Sequence, residues 1–202
     1  MAEPVEFFFD FSSPYGYLAS ERIEPIAARH GRTVVWRPIL LGAIFKRTGG
    51  APLTEAPLKG EYSLMDFARS AREHGLDFRH PSVFPVGAVA AKRAVVHARE
   101  DDELAGRTGD LVHALYRAYY VDDRDLRSPE VVLDVAAGIG LDRAALGHAI
   151  ESQAVKDALR DEVDAALERG VFGSPTVALG DELFWGNDRL DMVDRWLERG
   201  GW

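Results

Sequence analysis

The chain has 202 residues, of which 47% are hydrophobic and 28% charged, values typical of a folded globular protein. Its formal net charge of −9 leaves no excess of Lys and Arg to neutralise phosphates, so no nucleic-acid partner is expected. The sequence contains no cysteine, which excludes disulfides, cysteine-bound metals and a cysteine nucleophile. Because it shows neither a membrane-span pattern nor a signal-peptide pattern, we expect a soluble, cytoplasmic protein without membrane contacts.

The N-terminal part of the sequence predicts a β-α-β unit. An aromatic run at 5–11 and a β-branched run at 33–37 are typical of strands, and 15–30 between them has the apolar spacing of a helix. Pro14 suits the first position of that helix, where its missing N–H costs nothing. Ser13 before it is therefore predicted to cap the helix.

The middle of the chain is predicted to be helical. A loop rich in Gly and Pro spans about 48–57, and polar caps and apolar spacing then indicate six helices. We place these helices near 61–74, 84–99, 103–120, 129–138, 142–151 and 153–169.

Strand character returns near the C-terminus. The run 175–179, a Gly-Asp turn and the run 182–185 predict a hairpin, and a last helix follows at 189–199. The simplest assembly is an α/β fold. Residues 1–38 and 170–202 would share one sheet, and 39–169 would form an inserted all-helical domain.

Common catalytic motifs are missing. A third glycine does not follow Gly138-Ile139-Gly140, and the sequence has neither a phosphate-binding loop nor a Gly-x-Ser-x-Gly elbow. The six histidines are not spaced as metal ligands, so no metal site is expected.

Three local features are candidates for a site. Ser13 lies at the head of the first helix, Ser174-Pro175 is a context for a cis peptide bond, and Asn187-Asp188 precedes the last helix. Taken singly, each has an ordinary explanation as a cap or a turn.

Taken together, the three features resemble the thioredoxin fold, and the helical insertion resembles its DsbA-like branch. Redox members of that fold carry Cys-x-x-Cys at the head of the first helix, where this chain has Ser13 and Gly16. Thiol redox chemistry by the protein itself is therefore not predicted.

Four segments are similar to the 2-hydroxychromene-2-carboxylate isomerases and the related kappa-class glutathione transferases. They are Phe-Asp-Phe-Ser-Ser-Pro-Tyr-Gly-Tyr-Leu-Ala at 9–19, Pro-Leu-Lys-Gly-Glu-Tyr at 57–62, Val-Phe-Gly-Ser-Pro-Thr at 171–176 and Phe-Trp-Gly-Asn-Asp-Arg-Leu at 184–190. The amino-acid sequence of the last segment favours the isomerases.

The resemblance implies a glutathione site. In such a site Ser13 would hydrogen-bond the glutathione sulfur, and Ser174 and Pro175 would present backbone groups to its cysteinyl unit. Asn187 and Asp188 match the pair that receives the γ-glutamyl end, and Lys59 matches a lysine near the glycine carboxylate. Tyr15 and Trp185 would stack on an aromatic substrate, or else belong to the core.

Two glycines depart from the family pattern. Gly50 and Gly87 stand where relatives often carry Asn, so two side-chain hydrogen-bond donors are missing from the expected cleft. Weaker glutathione binding, another thiol cofactor or a changed substrate would each be consistent with this.

The resemblance implies an isomerase that uses glutathione for cis–trans isomerisation of 2-hydroxychromene-2-carboxylate-type intermediates of aromatic catabolism. A kappa-like glutathione transferase and a non-catalytic thioredoxin-like binding protein are the alternatives. Relatives with this insertion are commonly dimers, so a homodimer is a further expectation.

Overall fold

The computed structural model describes residues 3–202, and a four-stranded mixed sheet lies at the centre of this part of the chain. The strand order is β2-β1-β3-β4, with β1 parallel to β2 and antiparallel to β3, and β3 antiparallel to β4. The strands are β1 Val5–Phe9, β2 Val34–Pro38, β3 Thr176–Leu179 and β4 Glu182–Trp185. The predicted β-α-β unit and the C-terminal hairpin are thus confirmed, with both units in one sheet.

Helices cover the sheet and fill the middle of the chain. Their bounds are α1 Pro14–Arg29, α2 Leu41–Thr48, α3 Lys59–Glu73, α4 Val89–Glu100, α5 Thr108–Tyr120, α6 Pro129–Gly138, α7 Arg143–Glu151, α8 Gln153–Glu168 and α9 Leu190–Arg199. Short 3₁₀ turns occur at Leu53–Glu55, Ala105–Arg107 and Asn187–Arg189. Helices α1, α3, α6, α7, α8 and α9 lie within two residues of their predicted bounds.

Helix α2 is not predicted by the sequence analysis. Leu40 at its start offers no side-chain cap, so the local pattern lacks the usual polar start signal. The amide of Leu41 donates instead to Oδ2 of Asp10 at 2.8 Å. Because this cap comes from Asp10 at the end of β1, the residues around Leu41 alone do not indicate it.

Two predicted helices begin later than expected. The helix expected at 84–99 starts at Val89, since Pro85 cannot donate a backbone hydrogen bond and Ala88 lies in the left-handed region with φ 42°. The helix expected at 103–120 starts at Thr108, after the turn Ala105–Arg107. Such a 3₁₀ turn commonly precedes a helix, and apolar spacing does not separate the two.

The aromatic run of β1 is buried on both faces, as expected for a strand covered on both sides. Phe7 and Phe9 pack edge-on against Trp36, with ring centroids 5.3 and 5.8 Å away, and Phe9 also contacts Tyr116 of α5 at 5.8 Å. Phe8 points to the opposite face, towards α2 and α8. One hydrophobic core therefore spans the sheet and the helical middle, and the division into residues 1–38 with 170–202 and an insertion 39–169 stays a prediction.

A histidine clamps α5 to α1. Nδ1 of His113 lies 3.0 Å from Glu21 and its Nε2 lies 2.9 Å from Glu24. Burial alone would lower the pKa of His113, but the hydrogen bonds and charges of the two carboxylates outweigh it and raise the pKa to about 9. The charged imidazole is therefore favoured in the folded protein.

We expect this clamp to make stability fall at alkaline pH. The folded-state pKa lies above the ordinary value of about 6.5, so the contribution is complete below pH 6.5 and is lost as pH rises through about 9. Urea unfolding should show a loss of about 1–3 kcal/mol across this range. His113→Gln should flatten the dependence, whereas His148→Gln, at an exposed position of α7, should keep it. An equal slope in both variants would contradict the assignment.

Candidate functional site

The turn between β1 and α1 places a serine at the head of a helix. Ser13 has an extended backbone, and its Oγ accepts a hydrogen bond from the amide of Gly16 at 3.0 Å. The predicted cap is thus confirmed. The side chain is buried, with 7% exposed, and it lies at the end of α1 where the helix dipole favours negative charge.

The same hydroxyl joins the head of α1 to the start of β3. Ser13 Oγ donates to the carbonyl of Ser174 at 2.9 Å, and Ser174 Oγ accepts from the amide of Asp10 at 3.0 Å. The Ser174–Pro175 peptide is cis, as predicted. Because a serine has one hydroxyl proton, that proton is engaged by a backbone carbonyl in this structure.

Gly16 has no room for a side chain. A Cβ at this position would lie 2.7 Å from the hydroxyl of Tyr116 and 2.9 Å from Oγ of Ser174. Gly16 occupies the position of the second cysteine of the Cys-x-x-Cys motif. The packing leaves no space for a side chain there.

A cavity of about 930 Å³ brings most of the predicted site residues together. Its lining includes Lys59, Ser174, Asn187, Asp188, Tyr15 and Trp185. Pro175 is not among the lining residues and is buried directly before β3. These residues come from α1, the start of α3, the segment before β3, and the region from the end of β4 to the start of α9. Residues far apart in the sequence are thus assembled on one surface.

The members of this cavity differ in exposure. Asn187 is buried, and its side-chain oxygen accepts from Nη1 of Arg22 at 3.3 Å. Its amide nitrogen remains as a hydrogen-bond donor in a residue that lines the cavity. Asp188 and Lys59 are exposed. Arg22 was not identified from the sequence, because it lies on α1 with no motif around it.

The two aromatic candidates have different surroundings. Tyr15 is half-buried and donates to Oδ2 of Asp66 at 2.5 Å. Burial, and then the hydrogen bond and charge of Asp66, raise the pKa of Tyr15, so its phenol stays neutral. Trp185 is 54% exposed and lies 4.9 Å from the ring of Phe172, which is also exposed. Trp185 is therefore available to a ligand at the mouth of the cavity.

A second cavity of about 440 Å³ adjoins the first one, and Tyr15 lines both. Ser13 lines this cavity, together with apolar side chains of α2, of α3 and of the loop before α4. The two cavities share Tyr15, Leu41, Phe45, Pro52 and Leu53. This cavity is not predicted from the sequence, because α2 forms part of its wall.

A buried ion pair lies in the wall of the smaller cavity. Nζ of Lys92 is 2.7 Å from Oδ2 of Asp10, and the two side chains are 1% and 2% exposed. Lys92 also donates to the carbonyl of Gly87 at 2.9 Å. Neither charged residue was singled out from the sequence, because they are 82 positions apart and belong to no motif.

The two departing glycines line different cavities. Gly50 lies in the wall of the larger cavity and Gly87 in that of the smaller one. A Cβ at Gly87 would meet no other atom within 4 Å. A side chain would therefore fit at Gly87 without a clash, and its absence makes the smaller cavity larger.

Two other kinds of site were sought in residues 3–202. In this range no group of three or more His, Asp or Glu side chains could hold a metal ion. No helix in the same range is both long enough and apolar enough to cross a membrane.

Comparison with known proteins first identifies the class. A family model described as a DSBA-like thioredoxin domain matches residues 4–198, nearly the whole chain. The expected α/β, DsbA-like thioredoxin fold is therefore confirmed, here in a chain without cysteine.

Similarity to individual proteins identifies the family. The 2-hydroxychromene-2-carboxylate isomerase of Pseudomonas putida is 32% identical, over 96% of this chain and 94% of its own. A solved structure of a 2-hydroxychromene-2-carboxylate isomerase matches with a TM-score of 0.86 at 29% identity, over 98% of this chain and 95% of the other. Glutathione S-transferase kappa 2 of Caenorhabditis elegans is 26% identical, over 96% and 91%. The chain belongs to the 2-hydroxychromene-2-carboxylate isomerase family and is related to kappa-class glutathione transferases.

The packing at Gly16 can be tested by substitution. Ala is the better helix former by about 1 kcal/mol, but its methyl group would crowd the hydroxyl of Tyr116. We expect Gly16→Ala to lower the free energy of unfolding in urea by about 1–3 kcal/mol. Gly138→Ala is the control, since a Cβ at this exposed position of α6 meets nothing within 4 Å. A Gly16→Ala protein at least as stable as the wild type would show that the site can hold a side chain.

Proposed function

We propose that this protein is a glutathione-dependent isomerase of conjugated aromatic acids of the 2-hydroxychromene-2-carboxylate type. One observation carries the proposal: Lys59, Ser174, Asn187 and Asp188 line one cavity, and the Ser174 carbonyl in that cavity lies 2.9 Å from Oγ of Ser13 at the head of α1. The names of the relatives support the isomerase and the glutathione transferase relationship.

The chemical groups of the larger cavity fit the two ends of glutathione. Lys59 would bind the glycine carboxylate as its counter-charge. Asn187 presents amide donors because its oxygen is engaged by Arg22, and Asp188 is a carboxylate for the ammonium group of the γ-glutamyl end. Ser174 lines the same cavity and has a backbone carbonyl that can accept a hydrogen bond from the cysteinyl unit.

Bound glutathione would supply a sulfur nucleophile that adds reversibly to a conjugated double bond, which permits rotation without net oxidation or reduction. A free thiol has a pKa of about 8.5, so ionisation near neutral pH requires about 2 kcal/mol. The N-terminus of α1 provides about 0.3–1 kcal/mol, and a hydrogen bond from Ser13 to a charged group provides about 1.5–3 kcal/mol. These two contributions suffice without a cationic side chain at the sulfur.

Ser13 would have to redirect its proton for this role. In the structure its hydroxyl donates to the carbonyl of Ser174. A peptide N–H of the bound tripeptide would replace that donor, so the carbonyl stays satisfied while Ser13 turns to the sulfur. The exchange keeps both buried polar groups hydrogen-bonded.

The reaction outcome separates an isomerase from a transferase. Incubation of the protein with glutathione and a 2-hydroxychromene-2-carboxylate should give isomerised product while the concentration of free thiol stays constant. Product and thiol are followed together by chromatography. Stoichiometric consumption of thiol with a stable conjugate would favour a kappa-like transferase. Absence of glutathione binding in calorimetry at millimolar concentration would leave a non-catalytic binding protein.

Ser13→Ala tests how the sulfur is activated. In the folded variant with bound glutathione we expect the pKa of the thiol to be higher than in the wild type by about one unit or more, because the hydrogen bond to the thiolate is lost. The pKa is read from the ultraviolet absorbance of the thiolate as a function of pH. Ser70→Ala is the matched control, since Ser70 lines the larger cavity but lies on α3 and not at the head of α1, and it should leave the thiol pKa unchanged. An unchanged pKa in Ser13→Ala would reduce Ser13 to a helix cap.

A further inference from the structure

The smaller cavity combines apolar walls with one deeply buried cation. Its volume of about 440 Å³ lies in the range of small-molecule sites. Four aromatic side chains contribute to the wall, from Tyr15, Phe45, Phe67 and Phe84. Among them lies Lys92, whose side chain is only 1% exposed.

Asp10 does not depend on Lys92 alone for its hydrogen bonds. Its Oδ1 accepts from the amide and the hydroxyl of Ser12, both at 2.8 Å, and its Oδ2 accepts from the amide of Leu41 at 2.8 Å. These three donors already fix the carboxylate in the turn. Lys92 adds a fourth hydrogen bond to Oδ2 at 2.7 Å, which fills the lone pairs of the carboxylate.

Lys92, in contrast, retains donor capacity. An ammonium group has three N–H donors, and within residues 3–202 its two partners are Asp10 at 2.7 Å and the carbonyl of Gly87 at 2.9 Å. Lys92 lines the cavity although its side chain is 1% exposed, so the third donor can be reached only by a ligand that enters the cavity. A buried charge is costly unless it is fully hydrogen-bonded, so an anionic ligand oxygen would complete this group.

The charges around the cavity also favour an anion. Lys46 lies in the lining and is exposed, whereas Lys92 is buried; together they outnumber the carboxylate of Asp10. A buried ion pair is in general no better for stability than apolar residues of similar volume. A ligand would therefore give the buried lysine a role that stability alone does not.

We propose that Lys92 is a substrate-binding residue that holds the carboxylate of an aromatic α-keto acid, with the aromatic ring of the substrate against the apolar wall of the smaller cavity. This inference rests on the proposed function and deepens it, because it places the anionic end of the substrate. Glutathione would then occupy the larger cavity, and Ser13 and Tyr15 would lie between the two ligands.

A pair of unreactive ligands tests this without turnover and without glutathione. Benzylpyruvate and benzylacetone share the phenyl ring, the linker and the ketone, but the first has a carboxylate where the second has a methyl group. In calorimetry the wild type should bind benzylpyruvate at least tenfold more tightly, as expected for a hydrogen bond to a charged group. Equal affinities would overturn the proposal with no variant needed.

Substitution then assigns the preference to one side chain. Lys92→Met should weaken benzylpyruvate binding about tenfold and change benzylacetone binding less than twofold, while Lys92→Arg should keep the preference for the anion. Lys46→Met removes a positive charge from an exposed position, where solvent screening makes the contribution of a charge to binding small. This variant should change neither affinity more than threefold. An equal loss for both ligands in Lys92→Met, or loss of the preference in Lys46→Met, would contradict the assignment.

A folding defect need not obscure the result. If Lys92→Met leaves Asp10 buried without its partner and does not fold, the double variant Asp10→Asn/Lys92→Met removes both charges together and should again lose the anion preference. Failure of glutathione binding leaves these measurements unaffected. Conversely, a wild type that isomerises with glutathione but binds both ligands equally would reject only the role of Lys92.

Discussion

The carboxylate of Asp10 accepts hydrogen bonds from three separate parts of the chain: Ser12 in the turn, the amide of Leu41 at the start of α2, and Lys92 on α4. Two of the helices that line the smaller cavity, α2 and α4, are therefore held at the end of β1, three residues before the serine that caps α1. Because the carboxylate is 2% exposed, each of these hydrogen bonds forms in a region of low dielectric, where an unpaired partner would be costly. The position of Ser13 thus depends on the polar cluster that Asp10 forms with Ser12, Leu41 and Lys92.

The site consists of two cavities that share one wall and differ in the chemical groups that line them. The larger one has charged and amide groups at its margins, as a peptide ligand with charged ends requires, and the smaller one has aromatic walls and a buried cation. Ser13 lines the smaller cavity and bonds to the carbonyl of Ser174 in the larger one. A reaction between a bound thiol and an aromatic acid needs such a junction, because the reacting atoms must meet while each ligand keeps its own contacts.

The sequence predicted those features that depend on interactions between neighbouring residues. The cap at Ser13 and the cis peptide at Ser174–Pro175 were predicted because serine and proline act on the backbone next to them. Helix α2 and the buried Lys92 were missed, since the first is capped by Asp10 from 31 positions away and the second pairs with Asp10 across 82 positions. The glutathione residues were identified by family resemblance, and four of the five, Lys59, Ser174, Asn187 and Asp188, line one cavity, whereas their roles stay predictions.

A crystal structure with bound glutathione tests the central claim most directly, since it shows whether the head of α1 receives a sulfur supplied from outside the protein. We expect the sulfur within hydrogen-bond distance of Oγ of Ser13, with the γ-glutamyl end at Asn187 and Asp188 and the glycine end near Lys59. A tripeptide bound elsewhere, or one whose sulfur points away while Ser13 still donates to Ser174, would contradict it.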